Sequence, residues 1–243
     1  MRNSKSLLKM ITLSMLIALG VVISPILRVE GMCPMAHFIN IVCSVFLGPW
    51  YSLLCATLIG IIRMITMGIP PIALTGAVFG AFLSGVFYRA SKGRILFAVL
   101  GEIIGTGIIG AIISYPVMTF FWGKEGLSWL FYVPSFICGT LIGGSIAYVF
   151  LQKFAANGML AKIQATLGSQ SYTDQVSTLS NALTIAAFGA ILFVVIEIGS
   201  DVFKLTGAVW DSLSYISLGV CAAASVLYYI IKKVKTPNAA DNP

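Results

Sequence analysis

Apolar runs long enough to cross a bilayer recur along the chain, each closed by a short polar or basic stretch. A membrane helix needs about 20 such residues, with roughly 17 to 25 observed. Uncharged stretches at 10–27, 72–88, 126–152, 175–196 and 212–231 each fit one crossing. The stretch 95–123 joins them once Glu102 is accepted inside a helix. The stretch 31–62 lacks Asp, Glu, Lys and Arg and is too long for one ordinary span. It reads either as one kinked crossing or as a tight pair that turns at Gly48-Pro49.

Charge placement separates these layouts. With a turn at Gly48-Pro49, eight spans put Arg2, Lys5, Lys9, Arg89, Lys92, Arg94, Lys153, Lys162, Lys232, Lys233 and Lys235 inside, and Arg28, Arg63, Lys124 and Lys204 outside. That is 11 basic residues in and 4 out, with both termini cytoplasmic. A single crossing reverses the rest of the chain and gives 6 in and 9 out, against the excess of Lys and Arg expected on the cytoplasmic side. The hairpin is therefore expected, with a second helix over about 34–47. At roughly 1.5 Å per residue this helix is too short for the full hydrocarbon thickness. Backbone that is not helical is tolerated at membrane depth only where protein buries it or water reaches it. Arg28 to Met35 is thus expected to fold inward and line an outward cavity, the alternative being local thinning of the bilayer.

Composition agrees with an all-α integral membrane protein. Hydrophobic residues make up 58% of the chain and charged residues 9%, far below the roughly 25% of a soluble domain. The net charge of +7 follows from basic loops and implies no nucleic-acid partner. Five cysteines, at 33, 43, 55, 138 and 221, form no C-x-x-C pair, so neither a disulfide frame nor a metal site is expected. Arg2, Lys5 and Lys9 before the first apolar run resemble a signal peptide, but no small-residue cleavage site interrupts the run, which reads as a retained helix. The polar stretch 156–180 reads as a cytoplasmic linker between a six-span core, 1–155, and a two-span extension, 181–243.

A few residues are costly to place in lipid. An ionised Glu102 costs about 2.5–3.5 kcal/mol at a helix centre, so it must face the bundle interior. It reads equally as a ligand or coupling residue and as a structural acid. Arg63 lies in the outer part of the third span, where it reaches a carboxylate or, more simply, snorkels outward. His37, the only histidine, and Asn40 are spaced i, i+3 and share one face of the short helix. A lone histidine rules out a His-rich metal cluster. Small residues recur at helix-contact spacing in Gly76/Gly80/Ser84, Gly101/Gly105, Gly139/Gly143 and, on the outermost helix, Ser14/Ala18. Tyr115, Trp129 and Tyr132 fall near span ends, as interfacial aromatics do, with a secondary claim on the outer cavity.

Several of these residues occur in an order that resembles one family. Cys33-Pro34-Met35-Ala36-His37-Phe38-Ile39-Asn40, then Leu47-Gly48-Pro49-Trp50-Tyr51, Arg63, Gly101-Glu102-Ile103-Ile104-Gly105-Thr106-Gly107-Ile108-Ile109-Gly110 and Tyr115-Pro116 are similar to the ThiW family over about residues 7–155. Ala36 stands where the family pattern has Gln. Met67-Gly68-Ile69-Pro70-Pro71 and Ala73-Leu74-Thr75-Gly76 replace a G-T-G-T and A-F-P-G-S type stretch. The tail 156–243 has no counterpart in the family core.

The resemblance implies a substrate-binding (S) component of an energy-coupling factor (ECF) transporter in a bacterial or archaeal cell membrane. It implies a six-helix S-component-like bundle plus two extra C-terminal transmembrane helices. The implied substrate is the thiamine precursor hydroxyethylthiazole, bound under the loop between helices one and two. The implied partners are a transmembrane coupling subunit, docked through Ser14 and Ala18, and two cytoplasmic ATPases. No cofactor of its own is expected, and the chain contains no G-x-x-x-x-G-K-[ST] phosphate loop. The expected substrate-binding residues are Met35, His37, Asn40, Tyr115 and Tyr132, with Glu102 and Arg63 as weaker candidates. Two other readings stay open: an S component for another vitamin or heterocycle, and a membrane-embedded enzyme using Glu102 with His37 as an acid–base pair.

Overall fold

The computed structural model describes residues 2–26, 28, 32–172 and 207–235, and scattered positions from 178 to 205. The architecture is all-helical, and the chain divides into two compact units, Met1–Asp174 and Gln175–Pro243. In the first unit α1 (Arg2–Ile23), α2 (Pro34–Leu47), α3 (Pro49–Met67), α4 (Ile72–Ala90), α5 (Ile95–Phe121) and α6 (Val133–Ala156) form the bundle. A short helix, α7 (Met159–Leu167), follows.

The chain reverses between α2 and α3. Gly48 has φ +94°, a conformation that side chains rarely adopt, and Pro49 opens α3 where a missing N–H costs nothing. A side chain at 48 would also overlap the Arg89 guanidinium. The two helices lie side by side, with Ser52 Oγ donating to the Asn40 carbonyl at 2.9 Å. The 14 residues of α2 match the stunted helix required by the charge argument. It is also the most enclosed helix, with twelve residues buried from Pro34 to Leu47.

Helix α4 packs against α2, α3 and α5, and its small residues let α5 approach closely. A Cβ on Gly105 would lie 2.6 Å from Gly80 Cα, and one on Gly101 would lie 2.7 Å from Ser84 Cα. The small-residue spacings therefore mark helix contacts. Helix α5 is π-helical over Ile103–Gly110 and again over Val117–Phe121, with Pro116 at the junction. Such widened turns occur mostly as single bulges and favour functional sites. On α1, Leu13 and Leu16 face the bundle, whereas Ser14 and Ala18 are exposed beside Met15 and Leu19.

The sixth helix begins later than its apolar run predicts. Residues from Gly123 to Tyr132 are not helical, and Gly123 and Gly126 both have positive φ. Within the polar stretch after the sixth span, α7 buries Leu160, Gln164 and Leu167. Gln164 Nε2 donates to the Val45 carbonyl and to Tyr88 Oη, both at 2.9 Å. The first bond satisfies one of the carbonyls left over at the C-terminus of α2.

In the second unit, α8 (Ala208–Lys235) carries an apolar, largely exposed surface. The seventh crossing expected over 175–196 lies largely outside the described residues, and those described from 181 to 200 are helical. They pair antiparallel with α8: Asn181 bonds Tyr228 at 3.0 Å, Phe193 packs edge-on to Tyr215, and Ser214 bonds Glu197 at 2.6 Å.

Candidate functional site

Short helix α2 begins deep in the bundle, which places its polar first turns against α5 and α6. His37 and Asn40 both point at Glu102, as their i, i+3 spacing predicts. His37 Nδ1 lies 2.9 Å from Glu102 Oε1 and Asn40 Nδ2 lies 3.0 Å from the same oxygen. Thr106 Oγ1, one turn along α5, donates to it at 3.2 Å. Three donors thus converge on one carboxylate oxygen, an arrangement suited to a group that only accepts when ionised. Glu102 is fully enclosed, and its Oε2 has no hydrogen-bond partner among the described residues. Room for the carboxylate comes from Gly80, where a Cβ would sit 2.9 Å from Oε2.

The polar cluster forms the back of a cavity. His37 and Thr106 reach its wall, whereas Asn40 and Glu102 stay behind them. The cavity opens at one side and holds about 500 Å³ of empty space with its mouth included. Ile69, Ile72, Ala73, Gly76, Ala77 and Phe136 give it an apolar side. Arg28, Met32 and Cys33 line it from the segment between α1 and α2, as expected of that segment; its residues 27 and 29–31 lie outside the described residues. Cys33 Sγ is fixed by the Ser24 carbonyl at 2.9 Å.

His37 is held in place from a second side. A Cβ on Gly139 would lie 3.4 Å from His37 Nε2, and one on Gly143 would lie 3.0 Å from His37 Cβ and overlap the Pro34 carbonyl. The two glycines of α6 therefore admit the start of α2. With Nδ1 engaged by Glu102, a neutral imidazole that donates there leaves Nε2 as an acceptor near the cavity.

One expectation about depth changes. Arg63 does not snorkel: it is 4% exposed and lines the cavity, and its Nε finds no partner among the described residues. It stays inside because the start of α4 packs against this part of α3, where Gly60 lies against Ala73 and Leu74. Glu102 and His37, on different helices, meet directly at 2.9 Å.

The remaining sequence candidates lie near the cavity but not on its wall. Met35 is half-buried in the first turn of α2, and Met32 and Cys33 occupy the lining. Tyr132 is buried before α6 and packs against Phe136 at 5.7 Å, so Phe136, one turn further on, supplies the aromatic face. Tyr115 stacks on Trp129 at 4.6 Å instead. Sequence reasoning passed over Thr106 and Phe136. The first was legible from its i+4 spacing to Glu102, whereas the second had no signal in a helix rich in apolar residues.

A family model described as thiamine-precursor transporter protein (ThiW) matches residues 10–157, more than half of the chain and nearly all of the bundle. Neither the comparison with curated proteins nor that with solved structures returned a match. With its apolar crossings and its pocketed bundle, the chain belongs to the ThiW family of thiamine-precursor transporters and is a multi-pass membrane protein with a role in transport.

Proposed function

We propose that this chain is the substrate-binding subunit of an energy-coupling factor transporter and captures the thiazole precursor hydroxyethylthiazole. The observation that carries this reading is the cavity itself, an apolar chamber with a few placed polar groups beside the segment that joins α1 to α2. Hydroxyethylthiazole is small and flat, with one ring nitrogen that accepts a hydrogen bond and one hydroxyl that gives and accepts. Phe136 offers a face for the ring, and His37 Nε2 and Thr106 Oγ1 offer acceptors for its hydroxyl. Energy for transport comes from a transmembrane coupling subunit and two cytoplasmic ATPases. The exposed small-residue face of α1 at Ser14 and Ala18 supports docking there, since it lets another helix approach closely.

A second substrate is favoured by one observation: of the positions that depart from the family pattern, Ala36, Ile69, Ala73 and Gly76 line the cavity. The same subunit role with a different heterocycle follows if these positions set specificity. Calorimetric titration of the purified chain with hydroxyethylthiazole and a panel of vitamin-sized heterocycles separates the two. Saturable binding of the thiazole that is weakened at least tenfold by His37→Ala, in protein that still elutes as a folded species, supports the first reading. Binding of another heterocycle alone selects the second. Failure to recover a coupling subunit and ATPases with the chain from its native membrane overturns both.

A further inference from the structure

The cavity holds more positive charge than a neutral thiazole alcohol needs. Arg63 is enclosed in the wall, and its Nε has no hydrogen-bond partner among the described residues. Arg28, exposed on the segment before α2, lines the same cavity. Among the described lining residues none is acidic. Glu102 is not part of the lining, and His37, Asn40 and Thr106 occupy its Oε1. A guanidinium taken out of water without a counter-charge is costly, and its fork of donors matches a carboxylate or phosphate in two-point contact. An apolar wall ending in such a fork selects a molecule with an apolar ring at one end and an anion at the other.

We infer that the site takes a small heterocycle carrying an anionic substituent, a phosphate monoester or a carboxylate, with Arg63 as the anion-binding residue and Arg28 lining the same cavity. This rests on the cavity being the thiazole-precursor site proposed above and names the charge class of its substrate. His37 and Phe136 then hold the ring end.

The test compares three probes on the purified full-length chain: hydroxyethylthiazole, its phosphate monoester, and the thiazole with a carboxymethyl group in place of the hydroxyethyl. Titration calorimetry is expected to give at least tenfold tighter binding for one of the anions, and the tighter anion identifies the substituent. Arg63→Gln is expected to remove that advantage, a loss of roughly tenfold to hundredfold, while changing affinity for the neutral alcohol less than about threefold. Arg63→Lys is expected to restore part of it. Because Arg63 is enclosed, Arg28→Gln at the exposed mouth provides a second variant, with a smaller loss in the same direction.

Equal or tighter binding of the neutral alcohol overturns the inference and leaves the thiazole reading standing. So does an Arg63→Gln variant that weakens all three probes alike. If none of the three probes binds, the thiazole reading fails and the inference falls with it.

Discussion

His37 and Glu102 are 65 positions apart in the chain, yet Nδ1 of one lies 2.9 Å from Oε1 of the other, both shut inside the bundle. This contact fastens the short second helix to the fifth and orients the imidazole that lines the cavity. The polar cluster is thus a structural fastening and the back wall of the cavity together.

Removing the carboxylate should be more damaging than neutralising it. Glu102→Ala leaves His37, Asn40 and Thr106 donors without their shared acceptor, at about 1–3 kcal/mol for each group left unsatisfied. Glu102→Gln keeps a carbonyl oxygen for them. Thermal unfolding in detergent is expected to rank wild type above Glu102→Gln and Glu102→Gln well above Glu102→Ala. Equal melting of the two variants contradicts the role of Glu102 as a common acceptor.

Two helical glycines are expected to respond in opposite directions. Gly143→Ala pushes a methyl group into the Pro34 carbonyl and the His37 side chain, an overpacking that costs about 1–3 kcal/mol and displaces the start of α2. Gly219→Ala meets nothing within 4 Å in the middle of α8, and the gain in helix propensity is up to about 1 kcal/mol. Melting temperature should fall in the first variant and hold or rise in the second, with ligand affinity reduced only in the first. A neutral Gly143→Ala contradicts the close approach of α6 to α2.

The short α7 is expected to stabilise the bundle through one side chain. Gln164→Ala strands the Val45 carbonyl and removes a partner of Tyr88, a cost of about 1–3 kcal/mol. Gln164→Glu substitutes an acceptor for the amide donor at Val45 and should be no better. Hydrogen exchange should rise first at the C-terminal turn of α2 in both. Unchanged protection there is the result that contradicts capping of α2 by α7.

The sequence by itself determined the membrane class, the number and rough limits of the bundle helices, the reversal at Gly48-Pro49 and the shared face of His37 and Asn40. Each rests on a local or one-dimensional quantity: apolar length, the side on which basic residues accumulate, a glycine forced to positive φ, and helical spacing. Glu102 was legible as an interior residue because its transfer cost allows no other place. Its partners were not legible, since a pairing between α2 and α5 depends on where each helix begins relative to the other.

The tertiary structure decided which polar groups meet and which face the chamber. Arg63 stands in the wall because neighbouring helices enclose its turn, a property of packing that no stretch around position 63 encodes. Tyr132 gives the aromatic surface to Phe136 because α6 starts later than its apolar run, since that run continues through residues that are not helical. Local periodicity fixes which face of a helix is interior, and only the assembled bundle fixes how far along its axis each face meets its neighbour.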